Sequence, residues 1–321
     1  MRFKRLGKTG ANISVITVGT WAIGGTGWGE VDKKDSIEAI RAMVDEGVNS
    51  IDTAPAYGQG YSEEVVGEAV KGIRSKIFIT TKFGPKRGEI IPTSEVVEYA
   101  MTQCDLSLKR LGTDYLDLYL LHWPFKVFPA QETMTAINRL KEQGKIRNFG
   151  VSNFDEDQIQ EFEKFGAVTA LEPPFSMLNR KYEELMKFAK NRDMGVMTYG
   201  SLGAGILTGA IRTLPNYEPT DMRMHFYDFF EEPKFSAVME LLKTLDGIAE
   251  KHNVPVVQVA INWSTQNPVV DTALMGVRNP KEAKENCAAM SWELNPAEIA
   301  TINKAYADTV GKLPLREQKL T

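Results

Sequence analysis

The 321-residue sequence predicts an α/β fold: a closed (β/α)₈ TIM barrel with an N-terminal β-hairpin cap and an extra C-terminal helix. Three observations point to it. Short β-rich runs recur eight times, segments with helical periodicity separate them, and no GxGxxG follows the first strand, where an open doubly wound sheet would more often show one. The nearest approach to that motif, Gly24-Gly25-Thr26-Gly27-Trp28-Gly29, has the wrong spacing and precedes no apolar helix face. It reads as a flexible loop at the barrel mouth.

The runs, in order, are ISVITVG (13–19), VNSID (48–52), KIFITTKFG (76–84), DYLDLYLLHW (114–123), IRNFGVSN (146–153), AVTALEPP (167–174), GVMTYGSLG (195–203) and VVDTALMG (269–276). Between them SIEAIRAMVDEG, SEEVVGEAVKGI, TSEVVEYAMTQCDLSLKRLG, QETMTAINRLKEQG and DEDQIQEFEKFG place apolar residues at three- and four-residue steps, several closing on glycine. Residues 210–234, rich in Pro, Asp and aromatics, are too long for an ordinary connection and predict an excursion over the upper face. NPAEIATINKAYADTV adds a last helix opened by Asn295 or Pro296, so residues 1–321 read as one barrel domain.

Composition narrows the function. With 43% hydrophobic and 25% charged residues the chain buries a large core. The 38 basic residues against 42 acidic ones give −4, which offers no general attraction to nucleic acid or to an anionic membrane. The start, MRFKRLGKTGANISVITVG, has no signal-peptide core, and no later stretch reaches ~18 apolar residues, so a cytoplasmic protein is expected. Cys104 and Cys287 stand alone and read as reduced structural residues. His122, His225 and His252 form no ligand set, so no metal is expected.

In such a barrel the chemistry sits at the C-terminal ends of the strands. Asp52, Lys82, His122, Ser152 with Asn153, Glu172 and Tyr199 end the second to seventh strands, and Tyr57 follows Asp52 in its loop. Asp52, Tyr57, Lys82 and His122, separated by 5, 25 and 40 positions, occupy three adjacent strand tops and converge on one cavity. An Asp52–Lys82 ion pair would make the burial of both tolerable. The ammonium would draw the Tyr57 phenol down from about 10 toward neutrality, fitting it to give and retake a proton. His122 would offer a neutral N–H to a developing oxyanion. None of these groups supplies hydride, so reduction requires a cofactor.

The sequence resembles the aldo-keto reductases. The matching stretches are LGKTG (6–10), GTW (19–21), IDTAPAYG (51–58), SEEVVGEAV (62–70), TTKFG (80–84), LHWP (121–124), IRNFGVSNF (146–154), NR (179–180), YGSLGAGILTG (199–209) and GVRNPKEAKEN (276–286), covering about residues 1–310. The resemblance implies a catalytic tetrad of Asp52, Tyr57, Lys82 and His122, with Tyr57 as general acid. It implies that Ser152 and Asn153 hold a nicotinamide carboxamide, that Tyr199 stacks on the ring, and that Ser201, Leu202, Gly203 and Gly205 form the pyrophosphate loop. Arg278 corresponds to the cation at an adenosine 2′-phosphate, and Glu285 and Asn286 to the adenine contacts. Thr20, Trp21, Gly276 and Glu282 lie in matching motifs and join the cofactor set. Trp21 and Trp123, with Tyr57, His122 and aromatics of 210–234, would line the substrate pocket. NADP(H) is the implied cofactor, with NAD(H) as the alternative, and a small aldehyde, ketone or sugar the implied substrate of a monomer or small homo-oligomer.

Three departures stand out. Glu172 replaces a glutamine that usually helps hold the carboxamide; an ionised carboxylate there would favour the oxidised, cationic ring. Phe175 replaces a frequent tyrosine, a packing change. Glu282 would oppose the phosphate that Arg278 attracts. Competing readings are a non-catalytic partner subunit resembling the potassium-channel β subunits, docking through Phe226, Tyr227, Phe229 and Phe230, and a Schiff-base lyase using Lys82.

Overall fold

The structure, a computed structural model, describes residues 1–316 except 26, 30 and 87, and leaves the His225 side chain undescribed. Among these residues eight parallel strands close into a barrel: β3 (Ile16–Gly19), β4 (Ser50–Asp52), β5 (Phe78–Phe83), β6 (Leu116–Leu121), β7 (Ile146–Ser152), β8 (Ala170–Glu172), β9 (Gly195–Thr198) and β10 (Thr272–Gly276), with β10 returning to β3. Each falls within a predicted run and is shorter than it.

The first run divides. Its start joins a hairpin below the barrel, in which β1 (Phe3–Arg5) pairs antiparallel with β2 (Asn12–Ser14) in the register Phe3↔Ser14. Leu6 and Ile13, fully buried, pack on Leu118, Leu120, Ala170 and Met197 and plug the barrel floor. The hairpin turn lies so close that a Cβ on Gly7, at φ +43°, would meet the Gly195 nitrogen at 2.3 Å.

Strand alternation decides which side chains face the axis. Thr17 Oγ1 lies 2.5 Å from Ser50 Oγ and 2.8 Å from Thr272 Oγ1, so these three point inward. Two residues further up β4, Asp52 shares the inner face. The same period brings Lys82 inward above Thr80, and Glu172 inward above Ala170. Tyr119 and Leu121 instead face outward into the helical layer, where Tyr119 stacks on Phe83 at 4.6 Å.

That layer is built by α1 (Lys33–Asp45), α2 (Tyr61–Ala69), α3 (Val96–Leu111), α4 (Ala130–Glu142), α5 (Glu156–Glu163) and α6 (Glu183–Asn191). After β9 come α7 (Met222–Phe226), α8 (Lys234–His252) and α9 (Val256–Gln266); α10 (Pro280–Ala288) and α11 (Pro296–Asp308) follow β10. The 210–234 excursion is therefore part helix. Its Met222 nitrogen donates to the Gly27 carbonyl at 2.9 Å, tying it to the loop after β3. Within Gly24–Gly29, Thr26 lies outside the described residues. Asn295 caps α11 through Ala297 and Glu298 nitrogens, with Pro296 at the first helical position. Cys104 and Cys287 are free and buried. Among the described residues no helix is long and apolar enough to cross a membrane.

Candidate active site

At the upper end of the barrel a cavity of about 850 Å³ opens between the strand tops, the loop after β9 and the excursion. Its deep wall is a charged cluster. Lys82 Nζ donates to Asp52 Oδ1 at 2.5 Å and to the Thr53 carbonyl at 3.3 Å, lies 3.3 Å from Glu172 Oε1, and reaches Tyr57 Oη at 3.4 Å. Lys82, Asp52 and Glu172 are at most 2% exposed. An ammonium there is tolerable only because carboxyls surround it. Burial opposes its charge, yet Asp52 and Glu172 outweigh burial and hold Lys82 above the ordinary lysine range.

Both carboxyls titrate high. Burial pushes Asp52 upward against the pull of Lys82. Burial, then the Asp52 charge, push Glu172 up to about 8. Asp52 Oδ2 and Glu172 Oε2 are buried without a hydrogen-bond partner. The resemblance puts Glu172 where a glutamine usually helps hold a carboxamide; in the structure it lines the cavity with its Oε1 3.3 Å from Lys82 Nζ.

The expected acidification of Tyr57 is corrected. Burial raises its phenol well above the ordinary tyrosine value, and the Lys82 charge reduces that rise without reversing it. Tyr57 is thus a neutral acid with the ammonium beside its oxygen. His122 sits edge-on to Tyr57 at 5.9 Å, and burial with the Lys82 charge keeps its imidazole neutral. Trp123 stacks on His122 at 6.3 Å.

A second chain of contacts crosses the mouth. Tyr199 Oη donates to Asn153 Oδ1 at 2.7 Å, Asn153 Nδ2 donates to the His122 carbonyl and to Ser152 Oγ at 3.0 Å each, and Ser152 Oγ donates to the Glu172 carbonyl at 2.9 Å. Asn153 is held at φ +65°, which asparagine tolerates better than most residues. Thr20, fully buried, donates to the Asp52 carbonyl at 2.8 Å and steadies the loop behind Tyr57.

From this end the cavity runs along Ser201, Leu202 and Gly205 to Gly276, Arg278, Glu282, Glu285 and Asn286. Gly205, at φ +94°, and Gly276 present bare backbone, and a Cβ on either would project into open space. Gly203 is the exception among the predicted cofactor residues: it is buried and does not line the cavity, serving the turn at φ +57°. The Arg278 guanidinium meets Glu282 Oε1 at 3.0 Å, while Glu282 Oε2 accepts from the Arg278 backbone nitrogen at 2.9 Å. An elongated cleft with hydrogen-bonding groups at one end, bare glycines midway and a cation at the other fits a dinucleotide.

The remaining wall is aromatic. Trp21 stacks on Tyr57 at 6.1 Å and meets Trp28 and Phe226 edge-on at 5.0 Å each. Trp28 and Arg223 also line the cavity and were not anticipated from the sequence. A tryptophan inside a glycine-rich loop directly after a strand was the available signal for the first. Tyr227, Phe229 and Phe230 are 2–9% exposed and Phe226 is packed on Trp21, so these rings do not form an open docking face. A paired, charged Lys82 is likewise a poor imine-forming amine.

The profile of the aldo/keto reductase family matches residues 15–307. The chain is similar to the aldo-keto reductase YhdN of Bacillus subtilis, at 37% identity over 97% of this chain and 95% of that one. It is 31% identical to the NADH-specific methylglyoxal reductase of Escherichia coli over 95% of this chain and 98% of that one. Its fold superposes on the glycerol dehydrogenase of Gluconobacter oxydans with a TM-score of 0.85 and 29% identity, covering 100% of this chain and 98% of the other. This chain belongs to the aldo/keto reductase family.

Proposed function

We propose that this protein is an NADP(H)-dependent oxidoreductase that interconverts small aldehydes, ketones or sugars with their alcohols, Tyr57 serving as general acid and base. The observation that carries the reading is the Tyr57 oxygen 3.4 Å from Lys82 Nζ, at a cavity of about 850 Å³ whose lining runs from Tyr57 to Arg278. When bound, the nicotinamide supplies or accepts the hydride at the carbonyl carbon.

The protein residues do the rest. Tyr57 gives its proton to the carbonyl oxygen as charge develops there, and Lys82 stabilises the phenolate left behind. Asp52 holds Lys82 in place and charged. His122, neutral, donates to the same oxygen. Ser152 and Asn153 hold the carboxamide, with Tyr199 fixing Asn153, and Trp21, Trp28, Trp123 and Phe226 exclude water around the carbonyl.

Arg278 is the cation for an adenosine 2′-phosphate. Its partner Glu282 is a partly exposed carboxylate, and such a pair is worth about 1 kcal/mol or less, so a phosphate dianion can displace it. The Glu282 charge stays close, which makes the preference for NADP(H) over NAD(H) narrow. A screen of aldehydes, ketones, sugars and alcohols against both cofactors, followed by reduced-nicotinamide absorbance, tests the reading. Turnover of none of them would overturn it.

A further inference from the structure

Lys82 is enclosed by two carboxyl groups rather than one, and they approach it from opposite walls. β4, which carries Asp52, and β8, which carries Glu172, stand four places apart in the eight-stranded ring, so their upper side chains meet across the barrel axis. Lys82 Nζ lies between them, 2.5 Å from Asp52 Oδ1 and 3.3 Å from Glu172 Oε1. Each carboxyl keeps a second oxygen, Oδ2 and Oε2, buried and without a hydrogen-bond partner. Two ionised carboxylates here would leave one negative charge uncompensated in a dry site, with both of those oxygens unsatisfied. A single proton held between them removes the excess charge and satisfies both oxygens.

We propose that Glu172 is the proton store of the site: it shares one proton with Asp52 and refills Tyr57 through Lys82. The transfer balances with groups already present. After Tyr57 has given its proton away, an N–H bond of Lys82 breaks as the O–H bond re-forms on Tyr57. The O–H bond of Glu172 then breaks as Lys82 regains its third hydrogen. Lys82 ends as it began, Tyr57 is a phenol again, and Glu172 is a carboxylate that water must later reprotonate. The 3.4 Å and 3.3 Å separations on the two sides of Lys82 define the route. A carboxylate on Glu172 also favours a cationic ring in the same cavity over a neutral one. Glu172 thereby links its own ionisation to the oxidation state of the cofactor, a statement that rests on the reading proposed above.

The charged or titratable groups that bear on Glu172 are Asp52, Lys82, Tyr57 and Tyr199. Burial and the Asp52 charge hold its proton to about pH 8, which leaves the store filled at neutral pH.

Two measurements separate this proposal from the functional reading. Infrared difference spectroscopy of the cofactor-free protein should show a protonated carboxylic acid at neutral pH that ionises on mild alkalisation and is missing in Glu172→Gln. A spectrum with only ionised carboxylates overturns the store, and wild type alone decides this if the variant does not fold. Calorimetric titration with NADP⁺ and NADPH, in two buffers of different protonation enthalpy, should show release of about one proton with the oxidised form and none with the reduced form. Glu172→Gln should release none with either. Equal proton release with both forms, or release that survives in Glu172→Gln, overturns the link. Failure of both cofactors to bind overturns the dinucleotide reading instead, and the infrared band still decides whether Glu172 holds the proton.

Discussion

Lys82 Nζ stands 3.4 Å from Tyr57 Oη while its closest partner is Asp52 Oδ1 at 2.5 Å. The lysine charge therefore meets the two carboxyls at shorter range than it meets the phenol. Tyr57 is kept neutral by burial, and the ammonium is placed to receive the negative charge that forms on its oxygen only after proton transfer. An interaction stronger in the transition state than before it is the kind that accelerates a reaction.

Removing that ammonium should damage both activity and folding. Lys82→Met leaves Asp52 and Glu172 buried without a cation, and breaking a buried pair in this way costs about 3 kcal/mol or more. The expected result is a lower thermal midpoint and a loss of kcat of at least ~100-fold. Retained kcat in a folded variant would show that Lys82 is structural only.

The pH dependence of stability follows from Glu172. In the unfolded chain its carboxyl loses its proton near 4.5, whereas the folded protein holds it to about 8. The folded state binds more protons between those values, so the contribution is full below the lower one and is lost as pH rises through the upper one. Asp52, also raised, acts in the same sense. His122, kept neutral when folded, acts oppositely and removes stability as pH falls below its ordinary value. Thermal denaturation of wild type against Glu172→Gln isolates the Glu172 part: the variant should gain relative stability, by up to a few kcal/mol, from mildly acid to mildly alkaline pH. A constant difference across that range would contradict it.

Tyr199 and Asn153 form a testable pair. Tyr199→Phe removes the 2.7 Å hydrogen bond that helps hold Asn153 at positive φ. Losing one such bond, roughly 1 kcal/mol, should weaken cofactor binding about fivefold while leaving the fold intact. Fluorescence titration of the reduced cofactor measures it.

At the far end of the cleft, Glu282→Gln frees Arg278 and removes a like charge from the phosphate position. The kcat/KM ratio of NADPH to NADH should rise roughly tenfold, equivalent to about 1.4 kcal/mol. Arg278→Ala should lower the same ratio. An unchanged ratio in both variants would remove Arg278 from the phosphate site.

Much of this site is legible in the sequence because barrel geometry converts strand order into position. Once eight runs are recognised, their last residues must gather at one mouth, and Asp52, Lys82, His122, Ser152 and Glu172 all do. Contacts across the barrel are less legible. Adjacent strands are read by spacing, but Glu172 faces Asp52 across three intervening strands of the ring, a closeness no local pattern encodes. The state of Tyr57 is hidden for a related reason: sequence names the charge beside a group, whereas depth of burial, which here outweighs that charge, exists only in the folded chain. Trp28 was hidden by the glycines around it, because a flexible composition does not reveal that Trp21 and Phe226 supply a surface to pack on.

The most direct test of the account is the turnover of Tyr57→Phe beside its cofactor affinity. The phenylalanine keeps the ring against Trp21 and removes only the hydroxyl. Reduction of a carbonyl substrate, followed by loss of reduced-nicotinamide absorbance, should fall to background while the dissociation constant of the cofactor stays within about twofold. Turnover at an undiminished rate in that variant would contradict the assignment of Tyr57 as the proton donor.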